Sequence, residues 1–121
     1  VRDISTSTIR NSIIHGSNTN EFELDLDAAG VSDLTFKEML FHTDQNVSDP
    51  NIFNTGISVN QDPAFVNGSG DDYHLTENSF ARNKGLPSLD PVTFFDLDGD
   101  FRPCISEFPI GQDLGCYEYC P

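Results

Sequence analysis

Basic residues are what this chain has least of. Six Lys and Arg stand against twenty Asp and Glu, a formal net charge of −14 over 121 residues. Such a surface repels nucleic-acid phosphates and anionic lipid headgroups, which disfavours both as partners and leaves cations as the class the charge supports. The plainer consequence of acidity is solubility outside the cell. Long apolar runs are also missing. None nears the ~18 residues that span a bilayer, so no membrane insertion is expected. There is no Gly-x-Ser-x-Gly elbow, no zinc-ligand helix and no phosphate loop, so the sequence names no reaction. The chain opens at Val1 with neither an initiator Met nor a signal-like apolar stretch, which predicts a piece excised from a longer precursor.

Cysteine is absent before Cys104 and then occurs three times, at Cys104, Cys116 and Cys120. None of these spacings is the C-x-x-C of a zinc or redox site. Two readings stay open: one disulfide formed in an oxidising compartment with one thiol spare, or three inert buried thiols. What the chain does have is ten Phe and three Tyr, more than a disordered acidic chain carries. A packed fold is therefore expected.

An internal repeat organises the N-terminal third. Thr8-Ile9-Arg10-Asn11-Ser12-Ile13-Ile14-His15 lies over Thr35-Phe36-Lys37-Glu38-Met39-Leu40-Phe41-His42 at an offset of 27 residues. That offset falls in the ~20–50 range of repeat architectures, where residues one period apart stack on parallel neighbouring strands. It predicts Ile9 over Phe36 and Ile13 over Leu40, all facing inward. Between the copies, Glu21-Phe22-Glu23-Leu24-Asp25-Leu26-Asp27 alternates polar and apolar, the period of a half-buried strand. Phe22, Leu24 and Leu26 would line the core. A competing local signal exists, since Thr35-Phe36-Lys37-Glu38 fits a capping box that would open a short helix over 33–42. Residues 45–60 read as a long loop rejoining the sheet at Ile57-Ser58-Val59. Asp62 to Val66 reads as a strand, and Asn67 to Asp71 as a turn before an extended Tyr73-His74-Leu75. After that, Gly85, Pro87, Pro91, Pro103 and Pro109 leave room only for short elements.

Five phrases in the second half occur in a telling order: Asp62-Pro63-Ala64-Phe65-Val66-Asn67, Asp72-Tyr73-His74-Leu75, Asp96-Leu97-Asp98-Gly99, Arg102-Pro103 and Leu114-Gly115-Cys116-Tyr117-Glu118-Tyr119. This order resembles the closing region of bacterial surface proteins built on a right-handed parallel β-helix (pectin-lyase-like), the choice-of-anchor Q group. The resemblance covers Ile57 to Tyr119 well and the preceding repeat loosely. It implies an all-β fold, with terminal β-helix rungs and a long loop over 1–61 and a loop-rich C-terminal cap over 62–121. The two would form one structural unit, a fragment of a longer protein; a jelly roll is the alternative. It further implies an extracellular or cell-surface location and a non-catalytic capping role that contacts polysaccharide at most. The alternative is the end of a polysaccharide lyase or glycoside hydrolase whose active face lies upstream. The sequence departs from the group at Ser79 to Gly85, and at Cys116, which stands where a small buried Ala is usual. Tyr73, Leu75, Phe80, Phe94, Phe95, Tyr117 and Tyr119 are the expected covering layer.

Several constellations are candidates for chemistry. Asp96, Asp98 and Asp100 alternate around Gly99 and could supply part of a Ca²⁺ shell, although an EF-hand places its Gly later. A structural turn is the plainer reading. Arg10 with Lys37, and His15 with His42, would stack as like pairs on one face, as ligand-facing rows or as a plain solvated surface. His74 beside Asp71 and Asp72 reads as a surface histidine paired to a neighbouring carboxylate. Arg102 is expected to hold Asp98 or Glu118 in a partly buried pair. Asn46 and Asn67 each begin a glycosylation pattern too short to carry weight. Finally, Ile4, Ile9, Ile13 and Phe22 lie close to the cut at Val1, which predicts self-association through the N-terminal rung or a local rearrangement that covers it.

Overall fold

The computed structural model describes residues 6–86, 94–107 and 110–121, so Val1, Ile4, Pro87, Pro91 and Pro109 lie outside the described residues. Strands β1 (Ser7–Ile14), β2 (Leu34–Phe41) and β3 (Phe53–Val59) form a sheet in that order, parallel throughout. The register follows the repeat: Ile9 partners Phe36, Arg10 partners Lys37 and Ile13 partners Leu40. Strands β4 (Phe65–Asn67) and β5 (Asp72–Leu75) form a small antiparallel pair across a 3₁₀ turn at Gly68–Gly70. The chain is thus all-β with small sheets. A parallel sheet of this kind is unlike the antiparallel sheets of a jelly roll.

The capping-box signal loses to the sheet. Residues 34–41 are flanked by parallel partners on both sides, and the only helical geometry nearby is the 3₁₀ turn Val31–Asp33. Glu21 to Asp27 is not a strand either, because its backbone finds its partners elsewhere. Gln45 closes on Leu24 twice, accepting from its N–H at 2.7 Å and donating to its carbonyl at 3.0 Å. The Thr43 hydroxyl donates to the Phe22 carbonyl at 2.7 Å. Phe22 and Leu24 still pack on the core, whereas Leu26 is exposed. In the apolar island Ile52-Phe53 both residues are buried, Ile52 in the turn and Phe53 opening β3 four residues before Ile57, and β4 begins only at Phe65.

Each strand of the parallel sheet bends at one left-handed residue. These are Asn11 (φ 52°), Glu38 (φ 50°) and Gly56 (φ 62°). All three sit at one level, between the row Arg10–Lys37–Thr55 and the row Ser12–Met39–Ile57. A left-handed residue breaks the pleat, so the side chains beyond it resume in the opposite phase. Simple alternation from Phe36 would carry Leu40 inward. Instead Phe36, Met39 and Phe41 join Ile52 and Phe53 in one core, while Leu40 belongs to a second cluster. This corrects the expected inward set, and Ile9 is likewise exposed. Gly56 suits its left-handed conformation, and a Cβ there would press on the Glu38 carboxylate, which would have to shift.

The C-terminal half packs on the side of the sheet away from that core. Leu75, Ala81 and Leu114 bury against Leu40, with Ile13, Phe65, Phe80 and Tyr119 around them. Asn11 fixes the contact in place. Its amide donates to the Leu86 carbonyl at 2.7 Å and accepts from the Leu86 N–H at 2.9 Å, and its own carbonyl accepts from Gly115 N–H at 2.9 Å. Of the expected covering layer, Leu75, Phe80 and Tyr119 take part, while Tyr73, Phe94 and Phe95 are exposed.

Candidate functional site

The parallel register brings both like pairs together. Arg10 and Lys37 are direct strand partners, with Thr55 continuing the row on β3. Just past the strand ends, the rings of His15 and His42 stack at 4.6 Å and 13°. His42 Nδ1 meets the Gly16 carbonyl at 3.1 Å. Burial, and then the neighbouring His42, hold His15 below the ordinary histidine value, with Asp62 and Glu21 opposing. His15 is therefore neutral at pH 7.

The three Asp residues also converge, with carboxylate oxygens within 4.8 Å of one another. Their oxygens already have work. Asp96 Oδ1 accepts the N–H groups of Asp98 and Asp100, both at 2.9 Å, and Oδ2 accepts that of Glu118 at 3.0 Å. Asp98 Oδ2 lies 2.6 Å from His74 Nε2. The set is built as a hydrogen-bonded turn, with Gly99 (φ 86°) at its tip. Any cation would share Asp96 with three backbone donors and Asp98 with an imidazole.

His74 is held on both sides. Besides Asp98, it contacts Asp72 Oδ1 through Nδ1 at 2.5 Å, and its ring stacks on Tyr117 at 3.9 Å. These bonds, to Asp98 first and Asp72 second, raise its pKa, and the His74 contact lowers that of Asp72. With both ring nitrogens committed to carboxylates, His74 serves as a charged clasp rather than a proton acceptor. Asp72 lies two residues from His74 in sequence and was expected. The more distant Asp98 carries no local signal.

Arg102 and Glu118 meet in the interior of the C-terminal half. Nε of Arg102 is 3.2 Å from Glu118 Oε2, and its Nη2 donates to the carbonyls of Asp113 and Gly115 at 2.8 and 3.1 Å. Glu118 also accepts the N–H groups of Cys104 and Asp113, each at 3.1 Å. Asp113, which sequence reasoning missed, is fully buried and accepts from Asn83 N–H at 2.7 Å and Tyr119 N–H at 2.6 Å. Burial pushes the carboxyls of both Asp113 and Glu118 up. A second pair, Arg82 with Glu107, lies nearby, and the Arg82 guanidinium rests 4.4 Å over the Tyr119 ring. These groups hold loops together and point at no substrate.

Cys104 and Cys120 form a disulfide, with Cα atoms 5.5 Å apart. Cys116 is free and exposed, which corrects the expected buried position. Partial desolvation nevertheless raises the pKa of its thiol, so it is a poor nucleophile at neutral pH.

A cleft of about 480 Å³ lies where the outer side of β1 meets the C-terminal half. Its walls include Ser12, His15, Phe65, Tyr73, Cys116 and Tyr117. No helix is long and apolar enough to cross a membrane among the described residues. No protein-family model, curated protein or solved structure matches the chain.

Proposed function

We propose that the chain is the non-catalytic closing module of a bacterial right-handed parallel β-helix protein of the choice-of-anchor Q type, presented at the cell surface. One observation carries this reading. Three parallel strands stack with one register shift, at Phe36/Lys37 between β2 and β3, and each bends at the same level through Asn11, Glu38 and Gly56. Strands that repeat both register and bend are what successive turns of a solenoid produce. The Cys104–Cys120 disulfide supports an oxidising location outside the cytoplasm. The same reading carries polysaccharide contact along the Arg10–Lys37 row, and self-association through the first rung that strengthens as salt screens the charge of −14. Light scattering across a salt series tests that association.

The location has a direct test. Thiols trapped by alkylation in intact producing cells should number one per chain, at Cys116. Three alkylated thiols would place the protein in a reducing compartment and defeat the reading. The runner-up, the end of a polysaccharide lyase or hydrolase, draws on the same row of adjacent cationic side chains. Turnover of acidic polysaccharide by this chain, abolished in Lys37→Ala, would establish that reading in place of ours.

A further inference from the structure

The cleft beside β1 has an unusual lining for an acidic protein. Phe65 and Tyr73 meet edge to face, with centroids 5.3 Å apart at 85°, so their rings form two walls of a corner. Tyr117 and the neutral His15 add further aromatic surface, and Ser12 and Asn11 add uncharged polar groups. Among the described residues, no Lys or Arg lines the cleft.

Negative charge stands close behind these walls. The Tyr73 hydroxyl donates to Asp71 Oδ1 at 3.2 Å, which leaves the ring more electron-rich. Behind Tyr117 sits Asp72–His74–Asp98, whose net charge is negative even with the imidazole protonated. Burial raises the Tyr117 phenol, and the carboxylates of Asp98, Asp72 and Asp96 push it the same way, so their field reaches this wall. Arg10 precedes the cleft residues Asn11 and Ser12 on β1, and Arg102 donates to the Gly115 carbonyl while Glu118 matches its charge.

We propose that this cleft binds an organic cation, an ammonium or methylated ammonium group seated against the Phe65, Tyr73 and Tyr117 rings. Aromatic faces attract such cations through the ring quadrupole, and an apolar wall accepts their alkyl groups without the desolvation cost of a small metal ion. The surrounding carboxylates add long-range attraction and repel anionic ligands. An uncharged guest of the same shape gains only the apolar part.

The intact chain is titrated with choline chloride and, separately, with its neutral carbon isostere 3,3-dimethylbutan-1-ol and with methyl glucoside, following the aromatic proton resonances of Tyr73 and Tyr117. Saturable shifts are expected with choline. The isostere should bind at least about tenfold more weakly, and choline affinity should fall as salt rises. Tyr73→Leu should weaken choline by about two- to fivefold, the scale of one exposed cation–π contact, while Tyr73→Phe keeps most of the affinity. Tyr73 is exposed, and unchanged chemical-shift dispersion would verify that both variants fold. Equal binding of choline and isostere would make the cleft a plain apolar groove and overturn the proposal. So would tighter binding of methyl glucoside, or no saturable shift with choline.

Discussion

The two halves of the molecule solve the same problem by different physics. In residues 7–59 the backbone satisfies itself through a parallel ladder, and apolar side chains one rung apart fill a common core. Among the described residues of 62–121 few ladders form, and buried or half-buried carboxylates do the work of strands. Asp96, Asp113 and Glu118 each accept two or more backbone N–H groups, at least one of them from a loop distant in sequence. The first solution repeats, spreading its backbone bonds over many residues. The second depends on single residues, because a buried donor or acceptor that loses its partner keeps its desolvation cost.

The largest effect should come from breaking the C-terminal knot. Arg102→Ala leaves the Glu118 carboxylate buried without its cation, at a cost of about 3–5 kcal/mol by the usual measure of such pairs. Glu118 can recover part of this by taking up a proton. Its pKa, already raised by burial, would rise further in the variant. A raised carboxyl binds more protons folded than unfolded, so the variant should gain stability relative to the parent as pH falls towards 4. Urea unfolding at two pH values checks this. A loss under about 0.5 kcal/mol at pH 7, the scale of an ordinary surface change, would show that the knot holds nothing.

Next in size is the disulfide. Cys104 and Cys120 are 16 residues apart, and removing the bond by a paired Cys→Ser change should cost about 2–4 kcal/mol. If the two halves are one unit, unfolding followed by far-ultraviolet dichroism and by Tyr fluorescence should coincide before and after the change. Separate transitions would mean that the sheet stands without the loops that cover Leu40.

Within the sheet, Gly56→Ala should cost about 1–3 kcal/mol, since it combines a left-handed backbone with a clash against Glu38. Glu38→Gly in the same chain should return the part due to the clash. If Gly56→Ala is neutral, the level stacking of the three bends is not what fixes the register.

The sheet was the more legible half. Eight residues repeating at an offset of 27 were enough to place β1 beside β2, because parallel strands of a repeat share their neighbours. The phase was not legible. Asn is a common left-handed residue, but nothing in the repeat marks Glu38 as one. With that bend unseen, alternation carried Leu40 to the wrong side. Glu21 to Asp27 misled for a related reason: its alternation reports burial of Phe22 and Leu24, whereas strand pairing depends on partners that Gln45 and Thr43 replaced. In the other half, Arg102 could be expected to hold Asp98 or Glu118 because Arg102 and Glu118 lie in phrases that resemble a β-helix cap and that carry no other obvious partner, and Glu118 is the one it meets. Asp113 and the link from His74 to Asp98 depend on loop geometry that no local pattern encodes.

The two histidine sites should respond to pH in opposite directions, one in each half. His74 has a raised pKa, so its contribution is fully present below 6.5, the unfolded value, and is lost as pH rises through the folded one. Asp72 is lowered, so its share persists above 3.8 and is lost only as pH falls through its folded value. His15 is lowered, so the folded state resists a proton that the unfolded chain accepts, and stability declines as pH falls below 6.5. Melting temperatures between pH 5 and 8 should show His74→Asn removing a loss on the alkaline side and His15→Asn removing one on the acid side. Matching profiles for the two variants would contradict the assignment.

The smallest effect expected is that of calcium. Asp96, Asp98 and Asp100 converge as a Ca²⁺ shell would, but Asp96 already serves three backbone donors and Asp98 is bonded to His74. A cation that bound only the folded state would raise the melting temperature with the logarithm of its concentration over the dissociation constant. Because the turn is complete without a metal, millimolar Ca²⁺ against chelator should move the midpoint by less than about 1 °C, far below the several degrees that 1 kcal/mol gives a domain of this size. Asp98→Asn should lower the midpoint alike in both conditions, through the lost His74 contact. A Ca²⁺-dependent rise of several degrees that disappears in Asp98→Asn would instead make the turn a genuine metal site, and would add a cation to the carboxylates that hold this half together.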